Sequence, residues 1–178
     1  ATRLLSHAAA SPTLHPTRRL ATRKKILCLH GGGGSAAALE QQMGMAALVN
    51  DLSATHEFVF AQAPYGDTAG ALWIRDPPNG KDAPTTEPSW ASRSDQAIDR
   101  LVQTHGPFDG LLGYSQGAAY AIAYLARAPP TTFRVAVLFC GYLPSTHLGL
   151  MQTIDGRAPF PSVRALFFTG ANDFVIPS

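Results

Sequence analysis

The chain has 178 residues, of which 46% are apolar, 15% charged and 9% aromatic, with 16 glycines, 14 prolines and two cysteines. These figures fit one globular domain and exclude a wholly disordered chain, a collagen-like repeat and the stapled framework of a small secreted domain. A net charge of +2 gives no broad basic face for nucleic acid, and no run approaches the roughly 20 apolar residues of a membrane helix.

Charge is unevenly spread. Residues 1–39 hold six basic residues and no acid, whereas residues 40–178 hold eight basic residues and twelve acids, a balance of −4 (8 − 12). Residues 1–24, ATRLLSHAAASPTLHPTRRLATRK, have the composition of an organelle transit segment or of a disordered tail with solvated arginines. Either way they stand outside the fold, which is expected to occupy residues 25–178. Cys28 and Cys140 read as free thiols and point to an intracellular, cytoplasmic location. A transit segment would redirect the chain to a mitochondrion or plastid.

From Lys25 the chain alternates strand and helix signals. Lys25–His30 is a first strand ending in four glycines, Gly31 to Gly34. One helix is predicted from Ser35 to about Ser53, with Ala37, Leu39, Met43, Ala46, Ala47 and Leu48 facing inward. Phe58–Ala63 is a second strand, stopped by Pro64. Five prolines (Pro64, Pro77, Pro78, Pro84 and Pro88) make residues 64–90 irregular. A helix follows from about Ser92 to His105, with Ala97, Ile98, Leu101 and Val102 inward. Phe108–Gly113 is a third strand, Ala118–Ala128 a helix, and Arg134–Cys140 and Val163–Phe168 are the last two strands, flanking an irregular stretch at 143–161. Nearly continuous apolar strands alternating with helices predict an α/β fold: a three-layer α/β/α sandwich with a mostly parallel sheet.

The strongest motif is Gly113-Tyr114-Ser115-Gln116-Gly117, a complete G-x-S-x-G. Composition alone gives ~0.09 such matches in a chain of this length, so the setting carries the signal. That setting is strand, turn, helix: a bend that holds a serine in a strained conformation with its hydroxyl above the sheet. Ser115 is the candidate nucleophile. Stabilising a tetrahedral oxyanion takes preorganised backbone N–H groups. Gln116 and Gly32, in the glycine loop after the first strand, are the candidate donors. A phosphate cradle is the other use of such a loop, but no Lys precedes a Ser or Thr, and the sixth position from Gly31 is Ala36. No cofactor or metal is called for.

Asp173, on the loop after the last strand, stands where a carboxylate can orient an imidazole; a turn-forming role is its other reading. His30 reads as structural, packed under the glycine loop, and His147 as a surface residue. The irregular segment 64–94 should overlie the carboxyl ends of the strands, where Trp73 and Trp90 either line an acyl pocket or anchor the loop. Met151 and Phe160 share that ambiguity.

Together these residues resemble the FSH family of serine hydrolases, a branch of the α/β-hydrolase superfamily. The likeness rests on Leu29-His30-Gly31 with its glycine loop, Ala63-Pro64, and Gly106-Pro107-Phe108-Asp109-Gly110 running into Gly113-Tyr114-Ser115-Gln116-Gly117-Ala118-Ala119. Cys140-Gly141-Tyr142 and Gly170-Ala171-Asn172-Asp173 complete it. It implies an esterase-type hydrolase acting on a small-molecule carboxylic ester or thioester, with Ser115 as nucleophile and Asp173 as acid. It also implies a histidine beyond Asp173. The chain stops at Ser178 and its six histidines all lie upstream, so the expectation is an α/β-hydrolase fold lacking its C-terminal part. Ester hydrolysis by these 178 residues should be poor or absent. The alternative is a non-catalytic relative that binds its ligand and lacks the general base. Oligomeric state is not legible.

Overall fold

Parallel strands need partners of their own kind, and five apolar runs supply them. In the computed structural model the described residues are 22–67 and 70–170. Residues 1–21, most of the basic N-terminal stretch, and Asp173 lie outside them. Strands β1 (Lys24–Leu29), β2 (His56–Ala61), β5 (Gly110–Tyr114), β6 (Val135–Phe139) and β7 (Arg164–Phe168) form one sheet in the order β2-β1-β5-β6-β7. Every pairing is parallel, with Leu27 opposite Leu111, Leu112 opposite Val137 and Phe139 opposite Phe168. Between β3 (Tyr65–Asp67) and β4 (Gly70–Leu72) runs a small antiparallel pairing.

Helices cover both faces of the sheet. Leu39 and Met45, from α1 (Ala36–Gln41) and α2 (Met43–Leu52), pack with Cys28 and Leu112. The opposite face carries Leu27, Leu29 and Leu111 against α3 (Ser92–His105) and α4 (Gln116–Arg127). Alternation along β1 thus sends Leu27 and Leu29 one way and Cys28 the other. The result is the three-layer α/β/α sandwich expected. Strand order reverses at β1: the chain leaves it toward β2, and leaves neighbouring β5 toward β6 and β7. Loops after β1 and β5 therefore diverge, opening a crevice at the carboxyl ends of the two central strands.

Three sequence expectations need correction. The single helix over residues 35–53 is two, because Gln42 is extended (φ −60°, ψ 131°) and its N–H caps α1 on the Leu39 carbonyl. The break resets the helical phase, so Met45 points inward and Met43 is 89% exposed; Ala37, Ala46 and Ala47 are exposed as well. The stretch 143–161 contains α5 (Leu148–Arg157), which buries Leu150 and Ile154 at i, i+4 spacing. Gly149 and Gly156 disguise it. The segment after Pro64 is not wholly irregular either, since it holds β3, β4 and a 3-10 turn at Pro88–Ala91 capped by Glu87.

Polar ties fix α4 against α3. Tyr120 donates to Asp95 (2.9 Å) and Tyr124 to Asp99 (2.8 Å), and Arg127 clamps Asp99 through two nitrogens at 3.1 and 2.8 Å. That guanidinium lowers the Asp99 pKa, while burial raises the pKa of Asp95. At the sheet's rim, β7 leaves Leu166, Phe167 and Phe168 exposed, Phe167 by 64%. Among the described residues no helix is long and apolar enough to cross a membrane.

Candidate active site

Ser115 occupies the one bend between β5 and α4. Its backbone is left-handed (φ 52°, ψ −119°), a conformation costly for a residue with a Cβ. The surroundings impose it: Ser115 N–H donates to the Phe139 carbonyl (2.9 Å), and its own carbonyl accepts from Ala118 (2.9 Å) and Ala119 (3.1 Å). The flanking glycines are what the bend requires. A Cβ on Gly113 would lie 2.6 Å from the Ala118 Cα, and one on Gly117 would lie 2.5 Å from the His30 carbonyl and closer still to that of Leu29. Strand, bend and helix can interlock only where those two positions have no side chain.

The glycine loop faces this bend. A Cβ on Gly31 would meet Ser115 Cβ at 3.4 Å, and one on Gly32 would meet Gln116 Cβ at 3.2 Å, so the loop and the head of α4 are in contact. Gly33 and Gly34 spend their N–H groups on Ala71 (2.9 Å) and Gly31 (3.0 Å). As the first residue of α4, Gln116 carries an N–H without an intrahelical acceptor, at the positive end of the helix dipole.

Gln116 has a second role that the sequence does not announce. Its buried amide accepts from Trp73 N–H (2.8 Å) and Ile74 N–H (3.5 Å) and donates to the Ile74 carbonyl (3.0 Å). One side chain thus fastens the Pro-rich segment to the residue beside Ser115. Replacing Gln116 by Ala would orphan buried Trp73 and Ile74 backbone groups, at about 1–3 kcal/mol. In a chain of this size a thermal melt should show the midpoint falling by ~3–10 °C.

His30 lies under the loop as expected. Its Nε2 accepts from Ala63 N–H (3.1 Å), which leaves Nδ1 to donate to the Gly31 carbonyl (2.8 Å). Burial lowers its pKa, the Gly31 bond opposing that only in part. Both ring nitrogens are occupied. The surface position expected for His147 is overturned: only 6% exposed, it donates through Nε2 to the Arg75 carbonyl (2.8 Å). Backbone bonds at Thr85, to Thr146 and from Leu148 (both 2.8 Å), draw it inward. His56 and His105 bond Thr55 (2.8 Å) and Thr104 (2.7 Å). Every described histidine therefore has a ring partner other than Ser115.

The two tryptophans part company. Trp73 has 0% exposure, stacks on Tyr120 (5.4 Å, 8°) and donates from Nε1 to the His30 carbonyl (2.8 Å). With no open surface it holds up the site from below and lines no pocket. Trp90 is half-buried and donates to Thr85 Oγ1 (3.2 Å). An apolar cavity of about 490 Å³ is lined by residues of α4, α5, β6 and β7 together with Gly141, Tyr142, Leu143 and Phe160. Cys28 is a buried free thiol whose pKa burial raises, and Cys140 is half-buried. Among the described residues no cluster of His, Cys, Asp or Glu could hold a metal ion.

A strained serine between a parallel strand and a helix, faced by a glycine loop, defines an α/β hydrolase. The family model for serine hydrolase (FSH1) matches residues 20–178, and the chain belongs to that family. It is 38% identical to the esterase alnB of Emericella nidulans over 65% of this chain and 42% of that protein. With the esterase FPY3 of Fusarium mangiferae it shares 36% identity over 67% of this chain and 58% of the relative. The chain thus spans about half the length of these curated relatives. A carboxylesterase from Mesorhizobium loti aligns with a TM-score of 0.56 over 84% of this chain and 80% of its own, at 16% identity. That is a likeness of fold.

Proposed function

We propose that Ser115 is the nucleophile of a hydrolase acting on small-molecule carboxylic esters or thioesters through an acyl-enzyme. The observation that carries this reading is the left-handed Ser115 at the head of α4, with Gly32 against Gln116. Ser115 Oγ forms a bond to the substrate carbonyl carbon and passes its proton to an imidazole. The oxyanion that develops accepts hydrogen bonds from Gln116 N–H and Gly32 N–H. Collapse breaks the C–O or C–S bond, the leaving group takes the proton, and water then releases the acid by the same steps. Asp173 is the carboxylate that orients the imidazole. The register supports it, since Phe168 ends β7 level with Phe139 and, one strand further in, Tyr114.

A second reading has an observation of its own. The four described histidines are all engaged elsewhere, so the 178-residue chain could bind a ligand over Ser115 without turning it over. One experiment separates the two. In imidazole buffer a fluorophosphonate is expected to add one phosphonyl group, mapped to Ser115 by peptide mass spectrometry and absent from Ser115→Ala. Labelling elsewhere, or equal labelling of Ser115→Ala, would remove Ser115 as nucleophile. No labelling would favour the binding protein.

A further inference from the structure

Beside the Gln116 clamp stands a cation with no described partner of opposite charge. Arg75 follows Ile74, which Gln116 grips. Its N–H donates to the Trp90 carbonyl (3.3 Å), and its own carbonyl accepts from His147 Nε2 (2.8 Å). The backbone is thereby pinned from both sides, by one half-buried and one buried residue. The Arg75 side chain is exposed, yet its course is set: the guanidinium carbon lies 4.1 Å from the centre of the Trp90 ring and 5.2 Å from that of Tyr65. Those rings are themselves held. Trp90 is bonded to Thr85 (3.2 Å), and Tyr65 Oη accepts from the Arg93 N–H (2.9 Å). The Arg93 guanidinium carbon lies 5.3 Å from the centre of the same Tyr65 ring.

Among the described residues the ion pairs belong to Arg127, and neither Arg75 nor Arg93 forms one. Of the acids nearest in sequence to this cluster, Asp76 forms no ion pair among the described residues, and Glu87 accepts from Ser89 N–H (2.9 Å). Stacking uses the flat faces of a guanidinium and leaves its rim of N–H donors free, a fork that fits a carboxylate bidentately. Holding the fork in place before the ligand arrives removes much of the ordering cost of binding.

The geometry points to Arg75, one residue beyond the Ile74 that Gln116 holds, as an anion-recognising residue selecting esters that carry a carboxylate on their acyl or alcohol half. This assignment rests on the reading of Ser115 as nucleophile for its substrate class, and its test needs no turnover. The full 178-residue chain carrying Ser115→Ala is titrated with monomethyl succinate and with neutral dimethyl succinate while tryptophan fluorescence is followed. The expected signal comes from Trp90, because the ring beneath Arg75 senses its partner.

A saturable response to the half-ester and none to the diester is expected. Arg75→Gln should raise Kd by roughly tenfold to a hundredfold, the scale of a charge-assisted pair, and Arg75→Lys should fall between. An unchanged melting midpoint checks that Arg75→Gln is folded; should it not fold, Arg75→Lys carries the comparison. Unchanged affinity in the variants, an equal response to the diester, the same response to inorganic phosphate at matched ionic strength, or no saturable response would each overturn the assignment. Binding with no labelling of Ser115 would remove the hydrolase and leave Arg75; labelling without binding would do the reverse.

Discussion

Gly117→Ala is expected to cost about 3 kcal/mol or more and to lower the melting midpoint by ~6–12 °C, the range for a clash in a chain of this size. The new methyl would press on the carbonyls of Leu29 and His30, and neither can yield as a flexible side chain could. Leu29 ends β1 and His30 follows it, beside the central strand β5, so relief would have to come from separating the sheet and the helix. The elbow would open with it, and labelling of Ser115 should be lost even at temperatures where the chain stays folded. Gly44→Ala is the matched control. A Cβ there meets nothing within 4 Å, and its place in α2 favours alanine by up to ~1 kcal/mol. Equal melting midpoints for the two variants would mean that the elbow is not packed as described.

Ester turnover by the 178-residue chain is expected to lie within about tenfold of its Ser115→Ala background, because the four described histidines bond groups other than Ser115 and a serine without its imidazole loses nearly as much as a site without the whole triad. A hydroxyl without an acceptor for its proton attacks poorly, whatever waits to receive the oxyanion. Added imidazole should then raise turnover in the chain with Ser115 and leave the Ser115→Ala blank unmoved once the buffer reaction is subtracted. The measurement is the initial rate with a p-nitrophenyl ester at several imidazole concentrations. Strong Ser115-dependent turnover without imidazole would mean that a residue within the chain acts as base. His30 and His147 would be the first to replace, although each would have to abandon the bonds that hold it.

What the sequence discloses here depends on where the information resides. The sheet is legible because each strand is an apolar run that must be buried, and the elbow because two glycines and a serine must recur at fixed spacing. The break at Gln42 follows from one backbone angle and has no compositional mark. Helix α5 is masked because Gly149 and Gly156 are poor helix formers while only Leu150 and Ile154 are fully buried. The misread His147 shows the general difficulty. Its partner is a main-chain carbonyl 72 positions away, and carbonyls are the same at every residue. The clamp made by Gln116 is hidden for the same reason. Trp73 was legible as a large side chain near the site, but whether it faces a cavity or a core is settled by Tyr120 and His30 closing around it.

The carboxyl ends of three neighbouring strands are stitched in series. Ser115 N–H hangs on Phe139, and the next residue, Cys140, itself left-handed (φ 48°), hangs by its N–H on Phe168 (2.7 Å). Two main-chain links therefore connect β7, the last strand of the sheet among the described residues, to the Ser115 bend. A load on β7, such as a docking neighbour, would reach the Ser115 bend through these two links, so that bend is moored to β7 as well as to the strand beside it.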